Sequence, residues 1–347
     1  MTVVDKQHSV LLENVYKLIN KKVAPERVEQ VTDFSKILFK NIAHEDLDNR
    51  VEDNLYGATL SLWNQFVDYQ GGVPFIRAFN PAISKHGWQS THTIVEIIVT
   101  DMPFLVDSVR MALNKMGITA HLLLHCPIGL KRDEQQKLVS FESINSKNKE
   151  IIRQTVFLIE VDRQTSKLAL EQLTDELMSV VNDVSIAVQD WQPMRAKLRD
   201  IIEEFKSSQC SISVEQTKQT EKFLVWLYDH NFTLMGFRSY SAKGIKGDYR
   251  WVADNDSSLG LMKNSKTNRD RVLSNIPPSA REEALSHNPL MLTKTNSRSR
   301  VHRPAYLDYV GIKRFDIDGK VIGEYRFIGL YSASFYNSSA TQLPVLE

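Results

Sequence analysis

Cysteine is scarce in this chain of 347 residues, where Cys126 and Cys210 are the only two. Two thiols build neither a disulfide framework nor a four-thiolate zinc site, so both read as reduced thiols. No apolar run approaches the roughly 18 residues needed to span a bilayer. The start, MTVVDKQHSVLLENVYKLINKK, lacks the basic opening, apolar stretch and small-residue cleavage site of a signal peptide. An excess of one charge is missing too: 43 Lys and Arg stand against 42 Asp and Glu, a net charge of +1. No global field draws the chain to nucleic acid or to an anionic membrane, and the expected location is the cytoplasm. The glycine signatures of nucleotide sites are absent as well. There is no G-x-G-x-x-G after a strand and no G-x-x-x-x-G-K-[ST], so the usual device for holding NAD is not here.

What is present is length enough for two or three domains with their own cores. The first seventy residues read as helices over 8–22, 25–42 and 51–69. In the second of these Val28, Val31, Phe34, Ile37 and Leu38 recur at helical spacing, with Pro25 near the start. The Gly- and Pro-rich stretch 71–90 reads as an irregular connector carrying a short extended piece. Between 91 and 191 the order becomes strand, helix, strand, strand, helix, strand. The strands are expected at 94–99 (IVEIIV), 118–125 (ITAHLLLH), 155–161 (TVFLIEV) and 184–188, with a candidate extra strand at 138–142. In the first, Glu96 is the lone polar residue, as expected of a central strand covered on one side. The order predicts a βαββαβ ferredoxin-like sandwich with both helices on one face of an antiparallel sheet.

A charged linker helix is expected after Pro193, and a new unit from Val214, opening with a helix to about residue 229. Strand-like runs follow at 232–240, 249–253, 306–315 and 321–330. Asp316-Ile317-Asp318-Gly319 between the last two is a strong hairpin signal. The stretch 257–303 reads as irregular and includes a basic loop at 294–303, KTNSRSRVHR. The chain as a whole is therefore expected to be α+β.

The most informative segment is DMPFLVDSVRMALN at 101–114, which splices the first strand of this order to an amphipathic helix. Pro103 suits a first helical turn, and Leu105, Val109, Ala112 and Met116 form one stripe that Gly117 ends. Free N–H groups at such a junction hold a small anionic ligand, or the segment simply folds.

Three other features invite a reading as an enzyme. His121, His125 and Cys126 resemble a metal set, but strand residues four apart lie about 13 Å apart, too far for one ion. Asp107-Ser108 opens the helix without a G-x-S-x-G elbow, so a hydrolase built on Ser108 and a histidine is disfavoured. The loop 294–303 holds Lys294, Arg298, Arg300, Arg303 and His302 but lacks the interleaved aromatics of a single-strand platform. It reads instead as a solvated or subunit-contacting loop.

The segments AFNPAISKHGW at 78–88, THTIVEIIVTDMPFLVDSVRMALN at 91–114 and WLYDHNFTLMGFRSY at 226–240 resemble the N-terminal region of the large bacterial NAD-specific glutamate dehydrogenases. DMPFLVDSV is the most specific of these, and RPAYLDYVGIKRFD at 303–316 and GEYRFIGLYS at 323–332 agree with it. The resemblance implies an N-terminal fragment of a long enzyme, with an ACT-like domain over 72–192 after a helical segment 1–70. A linker helix over 193–213 and a PAS-like domain over 214–347 would follow. It implies no catalytic, metal or cofactor-binding residue here, with NAD serving only the parent enzyme, which would convert L-glutamate, NAD and water to 2-oxoglutarate, ammonia and NADH. It also implies a homo-oligomer, and an amino-acid effector at the strand-to-helix turn formed by Asp101, Met102, Phe104, Leu105, Asp107 and Ser108. The rival expectation is a purely structural assembly module that binds nothing.

Overall fold

Apolar residues at helical spacing wind the first three helices, α1 (Val3–Lys22), α2 (Val28–Phe39) and α3 (Glu52–Asp68). They belong to a computed structural model of the chain that describes residues 3–48, 50–148, 150–207, 213–244, 250–263, 271–272 and 278–332. The chain divides into two compact units, residues 1–182 and 183–347.

In the first unit the expected extended piece is β1 (Phe75–Phe79), and a short helix, α4 (Ile83–His86), leads to β2 (Thr93–Thr100). Then come α5 (Leu105–Lys115), β3 (Ala120–Arg132), β4 (Leu138–Glu142), β5 (Ile152–Val161) and α6 (Lys167–Gln189). The sheet order is β1-β2-β5-β3-β4, with every neighbouring pair antiparallel. One face, through Ile94, Ile98, Leu124, Val156 and Leu158, shares a core with the N-terminal helices, whose Phe34, Leu62, Trp63 and Phe66 are buried in it. Arg132 of β3 fastens the two layers, its guanidinium donating to the carbonyls of Val67 (2.9 Å) and Tyr69 (2.8 Å), where α3 runs out of internal donors. The other face, through Val95, Ile97, Phe157, Ile159 and Val161, is equally buried. The stripes left to cover it within this unit are Leu105, Val109 and Ala112 of α5 and Leu173, Leu177 and Val180 of α6.

Two expectations change here. The strand bearing Glu96 is covered on both faces, so that this carboxylate is wholly buried and held by partners rather than marking an open side. The closing strand at 184–188 is helix: α6 continues through it to Gln189, with Val180, Val181, Val184 and Ala187 buried at helical spacing. The edge seat beside β2, which the last strand of a βαββαβ order would take antiparallel to the first, is filled by β1 from the other end of the order.

In the second unit, α7 (Trp191–Ser207) and α8 (Val214–Trp226) pack Met194, Leu198, Ile202, Phe223 and Leu224 against Phe237, Val310, Ile312 and Phe327 of a six-stranded antiparallel sheet. Its strands are β6 (Phe232–Lys243), β7 (Arg250–Gly260), β8 (Arg271–Val272), β9 (Leu290–Arg298), β10 (Tyr306–Phe315) and β11 (Val321–Tyr331), in the order β8-β7-β6-β11-β10-β9. The expected hairpin joins β10 to β11, the Asp316 carboxylate accepting from the backbone N–H of Asp318 (3.1 Å) and Lys320 (2.8 Å). The stretch expected to be irregular over 257–303 instead contains the end of β7, then β8, α9 (Pro278–Leu285) and the edge strand β9. Cys210 lies outside the described residues.

Candidate functional site

The strand-to-helix turn stands where the sequence places it. β2 ends at Thr100 and α5 begins at Leu105, so Asp101–Phe104 form the connection. Asp101 is fixed from both sides: its N–H donates to the Arg153 carbonyl (3.0 Å), and an oxygen of its carboxylate accepts from the Thr155 hydroxyl (2.5 Å). Phe104 adopts φ of 72°, the left-handed region that a bulky residue occupies only under constraint. Its carbonyl accepts two hydrogen bonds from Ser108, from the N–H at 3.0 Å and the hydroxyl at 2.6 Å.

The six expected residues therefore divide. Leu105 and Ser108 are buried and engaged in holding the helix start, whereas Asp107 is exposed in the first turn and Asp101, Met102 and Phe104 are half-buried. Asp107 lies where the helix dipole favours an anion, and no side chain caps this helix. With its hydroxyl bound to a backbone carbonyl, Ser108 is no activated nucleophile. The turn holds no glycine either, and so does not form the close backbone cradle that a dinucleotide pyrophosphate requires.

The three residues that resemble a metal set part company. His121 lies 2.8 Å from Asp162 and packs against His92 with the rings tilted by 37° and their centroids 4.4 Å apart. His125 packs on Phe157 with centroids 4.8 Å apart, and burial lowers its pKa against the opposing pull of Asp101. Cys126 enters the helical core, donating to the Leu38 carbonyl (3.3 Å), and burial pushes its thiol up to about 12. Among the described residues no group of three or more His, Cys, Asp and Glu is placed to hold a metal ion.

The basic stretch 294–303 is tied down inside its own unit. Lys294 lies 2.5 Å from the buried carboxylate of Asp308, and Arg298 covers the Tyr306 ring. Arg300 pairs with Asp183 (3.0 Å), and Arg303 donates to the Tyr331 carbonyl (2.6 Å). Its first half belongs to β9, so the expected solvated loop begins only after Arg298.

Residues 34–177, which carry the five-stranded sheet and DMPFLVDSV at the turn from β2 to α5, match a known family described as glutamate dehydrogenase, ACT1 domain. These residues belong to that family. The ACT1 match opens inside α2 and closes at 177, so it includes β1 at the sheet edge and ends before the segment 184–188. The chain is 33% identical over 339 residues to the NAD-specific glutamate dehydrogenase of Halomonas elongata, a match covering 97% of the chain and 21% of that protein. It is 35% identical over 320 residues to the NAD-specific glutamate dehydrogenase of Pseudomonas aeruginosa, covering 92% of the chain and 20% of that protein. The enzyme of the same name from Mycobacterium tuberculosis is 21% identical over 255 residues, 73% of the chain and 15% of that protein. The chain thus spans about a fifth of the length of the first two relatives. Among the described residues no helix is long and apolar enough to cross a membrane.

Proposed function

We propose that this chain is the N-terminal regulatory and assembly portion of a cytoplasmic NAD-specific glutamate dehydrogenase. The whole protein would oxidise L-glutamate to 2-oxoglutarate and ammonia with NAD, in a catalytic domain outside these residues. The chain's likeness to relatives of that name, of whose length it spans about a fifth, supports this reading. The second unit, with α7 and α8 packed on its antiparallel sheet, would serve as the PAS-like module, and the subunits would assemble as a homo-oligomer.

Within this reading the turn at Asp101, Met102, Phe104 and Asp107 takes an amino-acid effector, with Leu105 and Ser108 supporting it from beneath. The observation that carries the proposal is Phe104, a bulky side chain held at positive φ at the helix N-terminus. Such constraint collects at ligand sites, and an ammonium group would find Asp101 and Asp107 beside first-turn N–H groups suited to a carboxylate. An effector acts there only through different affinities for two arrangements of the subunits. The purely structural reading has its own support, since Ser108 and Leu105 are engaged in folding the turn.

A thermal-shift screen of the twenty amino acids separates the two. A ligand at a hundred times its Kd adds about 2.7 kcal/mol of stability. The effector reading expects a saturable rise with one or a few amino acids, abolished by Asp101→Asn. If none of the twenty moves the melting temperature, that reading falls and the structural one remains.

A further inference from the structure

Among the described residues β9 ends the sheet order of the second unit, and its free edge meets α8 at a cavity of about 350 Å³ lined wholly by residues of that unit. The volume is that of a small-molecule pocket. Pro289, Leu290, Met291 and Leu292 supply hydrocarbon, and Gln216, Gln219 and Thr220 of α8 supply polar groups. Thr220 is only 2% exposed, yet among the described residues its hydroxyl has no hydrogen-bond partner. The edge strand adds further unused groups. The Lys313 N–H donates to the Pro289 carbonyl (2.9 Å), so in this antiparallel register Met291 and Thr293 also bond across to β10, while Leu290 and Leu292 turn their backbone groups outward. The Leu290 N–H is taken by the Asn288 side chain (3.3 Å). Leu292 presents its N–H and C=O together at the open edge.

The lining contains one ionisable group, Glu283, and its charge is answered. Its carboxylate lies 3.9 Å from the ammonium of buried Lys313 and accepts from the Asn288 amide at 3.5 Å. That ammonium in turn spends its three protons on the carbonyls of Glu283 and Ser286 and the Ser286 hydroxyl. A ligand with a full charge would leave water here without a counter-charge. On α8 the Gln219 amide nitrogen donates to Glu215 (3.3 Å), outside the lining, and the Gln216 oxygen accepts from Ser213 (3.2 Å). Gln219 thus keeps an acceptor and Gln216 a donor. Neutral donors and acceptors beside hydrocarbon suit a carboxamide, whose N–H and C=O pair with the C=O and N–H of Leu292 as a neighbouring strand would. We propose that this cavity binds a small neutral carboxamide, its amide group on Leu292 and Thr220 and its apolar body on Pro289 and Leu290. The site shares no residue with the effector turn.

Four probes of one shape test it: isovaleramide, isovalerate, isopentylamine and isobutyl methyl ketone, the last keeping the carbonyl but lacking the N–H. They are titrated into the chain labelled with ¹³C at its methionine methyls while the Met291 signal, assigned with Met291→Leu, is followed. The expected result is a saturable shift with isovaleramide and binding at least tenfold weaker with each of the others. Thr220→Val should weaken isovaleramide at least threefold. Leu292→Pro, which removes an N–H that the sheet does not use, should do the same with an unchanged circular dichroism spectrum. An acid, amine or ketone that binds within tenfold of isovaleramide, a shift that never saturates, a loss smaller than threefold in Thr220→Val, or unweakened binding in a folded Leu292→Pro would each overturn the proposal.

Discussion

Arg77 on β1 stands directly opposite Glu96 on β2, its Nη2 2.6 Å from the carboxylate of a wholly buried residue. The other carboxylate oxygen accepts from the Ser61 hydroxyl of α3 at 2.6 Å. One buried charge thereby ties the edge strand, the adjoining central strand and the helical layer together. Burial raises the pKa of Glu96, and Arg77 and Ser61 pull it back.

Removing one partner of such a pair leaves an uncompensated buried charge, which costs about 3–5 kcal/mol. Arg77→Met is expected to lower unfolding stability by about 3 kcal/mol in urea titrations, since Arg77 itself is partly exposed. Arg77→Met/Glu96→Leu should recover most of the loss. Additive losses in the double variant would show that the two groups do not act as a pair.

Gly57 lies in α3, where exchange for alanine ordinarily gains about 0.5–1 kcal/mol. Here an added Cβ would come within 2.3–2.7 Å of three atoms of the buried Trp88 side chain. Gly57→Ala is therefore expected to destabilise by about 1–3 kcal/mol. In a Trp88→Ala background the same exchange should become neutral or favourable, measured by urea unfolding of all four proteins.

Ser185→Pro tests the fate of the segment 184–188. Inside a helix a proline removes a hydrogen bond and clashes with the preceding turn, costing about 3 kcal/mol or more, whereas an edge strand tolerates it. The helical assignment expects lost ellipticity at 222 nm and a clear drop in urea midpoint. An unchanged midpoint would return the segment to a strand.

His125 sets an acid dependence. Its pKa is lowered in the fold, so the unfolded chain binds a proton that the folded chain refuses. Its contribution to stability is fully present above the ordinary imidazole value of about 6.5 and is lost as pH falls through that value toward the lower folded one. Urea midpoints measured from pH 7.5 to 5 should therefore fall more steeply for the parent chain than for His125→Gln. Parallel curves would show that this imidazole is not shielded from protons.

Strong local periodicity made much of the fold legible. β2, β5, α5 and the hairpin at Asp316–Gly319 lie close to where alternation, helical spacing and turn residues place them. The segment 184–188 misled because Val184, Ile186 and Val188 alternate while Val181, Val184 and Ala187 also recur at helical spacing, and five residues cannot separate the two periods. Continuity with α6, which no Gly or Pro interrupts, decides for helix over the turn-favouring Asn182-Asp183. β9 escaped notice because LMLTKTNSR turns polar after three residues, as an edge strand facing solvent can.

Taken alone, the sequence determined the α+β class, the turn Asp101–Phe104 and the kinship carried by DMPFLVDSV, since each rests on residues close together in the chain. Tertiary structure alone decided that β1 takes the last strand's seat, that Glu96 is buried between Arg77 and Ser61, and that Arg50 meets Glu160 across 110 residues. These are non-local pairings. They are set by which surfaces the chain can bury together once its elements exist, and no local pattern of residues encodes them.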